Sequence, residues 1–147
     1  FRLMGMDPAV EPEPWTEFAK RVLREEESID LKSLLCDESV VVGVGDIYSD
    51  EILFHAGLRH DRQSDSLSIQ EVRRLYRSVV EVIVEAVKHR GTSLEERQFV
   101  DIFGESGGFA EHLAVYGREG LFSPTSKKPV QKVKHKGRWT FFCETQV

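Results

Sequence analysis

VVVGVGDIYSDEILFHAGLRHDR, Val40 to Arg62, is the segment on which the architecture turns. Its middle reads as a helix over Ile47 to Ala56, with Asp46 as the natural N-cap and Gly57 as the stop. The residues entering it, Ser39 to Gly45, fit either a buried strand or a turn with two flexible glycines, and periodicity does not separate the two. Just upstream, Leu31 to Asp37 reads as a short apolar helix.

Toward the N-terminus, Asp7 to Pro14 is rich in proline and acid and reads as an extended linker. Pro14 suits the first turn of a helix, and Trp15, Phe18, Ala19, Val22 and Leu23 then fall at i, i+3, i+4, i+7 and i+8. That stripe is core packing, and Glu25-Glu26-Glu27 after it is a solvated helix end or turn. In the other direction, Ser68 and Glu71 form a capping box, and Ile69, Val72, Leu75, Val79, Ile83 and Ala86 trace the buried face of the longest helix. Lys88, His89, Arg90 and Gly91 close it. Its many β-branched residues lower intrinsic propensity, so burial must hold it, at roughly 1.5–3 kcal/mol per large aliphatic side chain.

Gly91 to Gly108 reads as a long surface loop, of the kind that is usually functional in a compact domain. Phe109 to Tyr116 is predicted as a short helix. The end of the chain alternates as a hairpin: Val130, Lys132, Lys134 and Lys136 on one face, Val133 and His135 on the other, a turn at Lys136-Gly137, then Trp139 to Cys143. A lone two-stranded hairpin is marginal in water, so it must pack on the helices.

The composition of the 147 residues, 40% apolar and 31% charged, is that of one globular domain. No apolar run approaches the ~18 residues that cross a bilayer, and Phe1 to Val10 lacks a signal-peptide pattern, so the expected location is cytoplasmic. The chain opens on Phe1 within an apolar-basic stretch, which suggests a piece of something longer. Two cysteines, Cys36 and Cys143, are too few for a disulfide framework or a four-thiolate zinc site. The net charge of −5 hides a split: from Arg118 onward seven basic residues face two acidic ones, a local +5, which leaves −10 for the other 117 residues. Such a tail suits a polyanion, or equally a solvated basic hairpin.

Four segments, Val40 to Arg62, RGTSLEE (90–96), GESGGFAEHLAVYGREG (104–120) and KHKGRWTFFC (134–143), together resemble the formamidopyrimidine-DNA glycosylase and endonuclease VIII family, in order over most of the chain. The resemblance implies a mainly α fold: a helix-two-turns-helix bundle over 15–120, a C-terminal β-hairpin finger over 121–147, and a linker over 1–14 from a catalytic domain not included here. It implies the damaged-DNA-binding part of a base-excision-repair DNA glycosylase and AP lyase acting on oxidised bases. The partner is then double-stranded DNA with oxidised bases or abasic sites, bound by a monomer without cofactor or membrane. The alternative is a stand-alone DNA-binding or protein-interaction module without catalysis.

The resemblance places Lys32 before the two turns and Arg138 at the finger as phosphate contacts, with Tyr116 and Lys132 as further backbone contacts; both cations should therefore lie on one side of the molecule. Val100, Gly104, Glu105, Gly107 and Gly108 fall in a loop that closes over the extruded base in some members. An ordinary surface lysine is the competing reading of Lys32 and Lys132, as a rim aromatic is of Tyr116 and a plain connector is of the loop. Three departures stand out. The positions matching the finger's two C-x-x-C pairs are Ser123, Ser126, Cys143 and Gln146, so the finger resembles the zincless type, held by packing of Trp139, Phe141 and Phe142. The family's phosphate-donating asparagine is Asp46 here; an ionised carboxylate cannot donate, and Asp46→Asn is expected to tighten DNA binding. The family's N-terminal proline nucleophile has no counterpart, because Pro8, Pro12, Pro14, Pro124 and Pro129 are all internal, and no catalytic residue is assigned.

Overall fold

A computed structural model describes residues 14–23, 28–37, 40–41, 44–90, 113–124 and 128–147. Among them are four α-helices, α1 Trp15–Val22, α2 Leu31–Leu35, α3 Asp46–Ala56 and α4 Ile69–Arg90, and one antiparallel hairpin, β1 Val130–His135 with β2 Arg138–Cys143. The fold is mainly α with a C-terminal hairpin, as expected. The segment before residue 14 read as a linker, the acidic run 25–27 and the segment 91–108 read as a loop lie outside the described residues.

The helices share one core. Phe18 and Val22 of α1 meet Leu31, Leu34 and Leu35 of α2, Ile52 and Leu53 of α3, and Val72, Leu75, Val79, Ile83 and Ala86 of α4. Ile69 departs from the predicted face: it is 55% exposed, because it stands at the first helical position, before the stripe turns inward. The capping box behind it is present, with Ser68 N donating to Glu71 Oε1 at 2.9 Å and Glu71 N to Ser68 Oγ at 3.1 Å. The Ser68 N–H holds the Glu71 carboxyl below its usual range, with Arg62 helping.

The two turns resolve the 39–45 ambiguity where it is described. Val40 and Val41 both donate their N–H to Asp37 O, at 2.8 and 3.1 Å, which is a turn and not a strand. Asp46 is not the N-cap of α3: Gly45 occupies that position without a side-chain hydrogen bond, and Asp46 is the first helical residue. Its carboxylate is engaged elsewhere. Gly57 ends the helix as predicted, in the left-handed region at φ +74°.

α3 is enclosed nearly all round, although its sequence DIYSDEILFHA carries three acids. Asp50 and Glu51 are each 1% exposed. Glu51 receives three successive backbone donors, from Ala114, Val115 and Tyr116, at 2.7 to 2.9 Å. This corrects the described end of the helix predicted over 109–116, whose first residues, 109–112, lie outside the described residues: 114–116 form bends and a turn, since their N–H groups point at one carboxylate and not back along a helix. A second apolar cluster, Phe54, Ala114, Val115, Val130, Phe141 and Cys143, seats the hairpin on α3.

The hairpin register pairs His135 with Arg138, and Lys136 (φ +52°) and Gly137 (φ +83°) make the two-residue turn. The turn therefore falls at Lys136-Gly137 as read, and β1 ends at His135. Phe141 and Phe142 are buried, but Trp139 is 46% exposed and does not hold the finger. Its ring lies under the ammonium groups of Lys132 and Lys134, 4.4 and 4.9 Å from the centroid. At the positions of the missing metal ligands, Gln146 works instead as a staple: its Oε1 accepts from Cys143 N at 2.7 Å and its Nε2 donates to Leu58 O at 2.8 Å.

Candidate nucleic-acid interface

The start of β2 lies across the start of α3, and two buried groups set that crossing. Lys32, with no exposed surface, donates through Nζ to Asp50 Oδ1 at 2.8 Å and to Trp139 O at 3.0 Å. Asp50 Oδ2 in turn accepts from Phe141 N at 2.9 Å. One ammonium and one carboxylate therefore grip β2 between Trp139 and Phe141 from α2 and α3. Burial pushes the Asp50 carboxyl up to about 7, against the pull of the Lys32 ammonium and the Phe141 N–H.

The next residue back along β2, Arg138, is brought by this grip over the first turn of α3. Its Nη1 donates to Asp46 Oδ1 at 2.8 Å, and the same oxygen is 3.9 Å from Lys32 Nζ. That bond raises the Arg138 pKa further. Lys32 and Arg138 therefore share one side of the molecule and converge on a single carboxylate oxygen. The Lys32 side chain has no exposed surface, and its two donations hold the strand that carries Arg138.

Tyr116 and Lys132 both meet the same strand. The Tyr116 ring meets Phe141 edge-on with centroids 4.6 Å apart, and burial with the negative charges of Asp46 and Asp50 raises its phenol pKa. Lys132 Nζ is 5.6 Å from the centroid of that same Phe141 ring and 3.8 Å from Glu119 Oε2. Val100, Gly104, Glu105, Gly107 and Gly108 lie outside the described residues.

At the hairpin's turn, Asp30 was missed by sequence reading. It is 1% exposed, caps α2 by accepting from Ser33 N at 3.0 Å, and accepts from Lys136 Nζ at 2.6 Å, with His135 Nε2 at 2.9 Å. Burial raises its carboxyl, but these hydrogen bonds together outweigh that and leave it well below the usual carboxylate range. Next to it, His60 is buried, with its ring centroid 5.0 Å from His135 and 4.9 Å from Phe142, and among the described residues Nδ1 has no hydrogen-bond partner. Burial, with the nearby positive charges of His135, Arg59 and Lys32, lowers its pKa to about 4. Among the described residues, no group of three or more His, Cys, Asp or Glu is arranged to hold a metal, and no helix is long and apolar enough to cross a membrane.

Comparison with known proteins places this geometry. The family model for the formamidopyrimidine-DNA glycosylase H2TH domain matches residues 4–98. The formamidopyrimidine-DNA glycosylase of Thermus thermophilus is 41% identical over 142 residues, which cover 97% of this chain and 52% of the relative. That of Desulforamulus reducens is 39% identical over 138 residues, 91% of this chain and 49% of the relative. The crystal structure of the MutM (Fpg) protein from Thermus thermophilus aligns with a TM-score of 0.82 at 41% identity, over 97% of this chain and 53% of that one. Lactococcus lactis Fpg in complex with abasic-site DNA aligns with a TM-score of 0.83 at 27% identity, over 99% of this chain and 52% of that one. The chain spans about half the length of the curated relatives it matches. With most of its described core inside the matched domain, the chain belongs to the formamidopyrimidine-DNA glycosylase family.

Proposed function

We propose that this chain is the damaged-DNA-binding part of a base-excision-repair glycosylase and AP lyase that acts on oxidised bases, and that it works in the cytoplasm as a monomer without a cofactor. The observation that carries the reading is the meeting of the finger's Arg138 with the N-terminal turn of α3, 2.8 Å from a carboxylate oxygen. A helix start offers free N–H groups and a positive dipole end, and a guanidinium adds a planar fork of donors. An anion is held there already, supplied by Asp46, so the site has the electrostatics to hold a backbone phosphate. Tyr116 and Lys132 extend the contact along the strand, while Lys32 acts from beneath. Phosphate contacts fix register without reading sequence, which suits a protein that must grip a lesion in any context, while the damaged nucleotide leaves the stack. No catalytic residue is assigned to this chain, and the base-closing role of residues 100–108 belongs to the same proposal.

The test is fluorescence anisotropy on a duplex carrying a stable abasic analogue, repeated over a salt series. With about three to five phosphates engaged, log affinity falls against log salt with a slope of about −3 to −4.5. Absence of binding, or a flat salt response, overturns the reading in favour of a protein-interaction module.

A further inference from the structure

The crossing of β2 and α3 brings together two basic side chains, Lys32 and Arg138, and two acidic ones, Asp46 and Asp50. The two carboxylates are not equivalent. Asp50 is buried with both oxygens committed, one to Lys32 and one to Phe141 N, so the fold needs it. Asp46 is 37% exposed at its side chain and is not the N-cap of α3; its carboxylate oxygen lies 2.8 Å from Arg138 and 3.9 Å from Lys32. It sits at an anion site and fills it from within.

We infer that Asp46 is a built-in stand-in for phosphate, which occupies Arg138 in the free protein and must be displaced before the DNA backbone can engage that residue. This rests on the function proposed above and adds to it a determinant of affinity. A tethered carboxylate competes at high effective concentration. Once displaced, it stays beside the bound phosphate and repels it, so the cost persists in the complex. It also cancels one cation that would otherwise neutralise a phosphate, which flattens the salt dependence.

The experiment uses the 147-residue chain, its Asp46→Asn and Asp46→Ala variants, Arg138→Ala, and the double variant Asp46→Asn/Arg138→Ala, titrated with the abasic-analogue duplex and with undamaged duplex. Asp46→Asn and Asp46→Ala should each bind about tenfold tighter near physiological salt, the scale of one charge-assisted contact, with a salt slope steeper by about 0.9. In the Arg138→Ala background, the gain from Asp46→Asn should fall below about threefold, since the residue it frees is gone. Wild-type binding with no change on either Asp46 substitution overturns the inference and leaves the proposed function standing. A gain of equal size with and without Arg138 also overturns it, because the aspartate then acts only through general charge. Failure of wild type and variants alike to bind either duplex overturns the proposed function and the inference with it.

Discussion

Lys32 shows how far a residue's task depends on its surroundings. Read along the chain it is a lysine near the start of a short helix, matching a phosphate contact; folded, it compensates the Asp50 carboxylate at 2.8 Å in a buried position. Removing one partner of a buried pair strands the other, so Lys32→Met should cost about 3–5 kcal/mol in urea denaturation. Lys32→Met/Asp50→Asn should recover part of that loss, because the amide keeps an acceptor for Phe141 N. His60 makes a second prediction at this scale. Burial holds its folded pKa at about 4, below the ordinary 6.5, so the folded state resists protonation. Its stabilising contribution is therefore complete above about pH 6.5 and lost as pH falls toward 4. Asp50, whose carboxyl burial pushes up to about 7, gains stability over the same fall in pH, so the imidazole's share is read by difference: in chemical denaturation between pH 7.5 and pH 5, wild type should lose more stability, or gain less, than His60→Phe.

Among the elements, the caps and turns carry the local logic. The α4 capping box and the Gly57 stop of α3 involve neighbours three or four residues apart, and both appear as read. The hairpin turn is of the same kind. Gly137 at φ +83° takes a conformation that costs a side-chain-bearing residue about 1–2 kcal/mol, so Gly137→Ala should lower the melting temperature by several degrees. In the helix read over 109–116, the described end, 113–116, is not helical, because apolar spacing says nothing about Glu51, whose carboxylate claims the N–H groups of Ala114, Val115 and Tyr116. An acidic pair, Asp50-Glu51, in the middle of an otherwise apolar helix was the available signal, since buried acids require donors.

For the molecule as a whole, the finger's seat is polar as much as apolar. Asp30 holds the turn end, Lys32 and Asp50 hold the middle of β2, and Gln146 ties the far end to Leu58 O just beyond α3. Gln146→Ala removes the acceptor given to the Cys143 N–H and the donor given to Leu58 O, two buried hydrogen bonds, and should cost about 2–4 kcal/mol in thermal or chemical denaturation. Most helix boundaries, the hairpin with its turn, and the family resemblance were legible along the chain, because periodicity, caps and turn residues act between near neighbours. Which charges go inside, and that Lys32 supports the strand while Asp46 occupies Arg138, emerged only once distant segments were brought together. The reason is physical: a buried charge is tolerable only with a partner, and here the partners stand 18 residues apart for Lys32 and Asp50, 91 for Asp50 and Phe141, and 92 for Arg138 and Asp46.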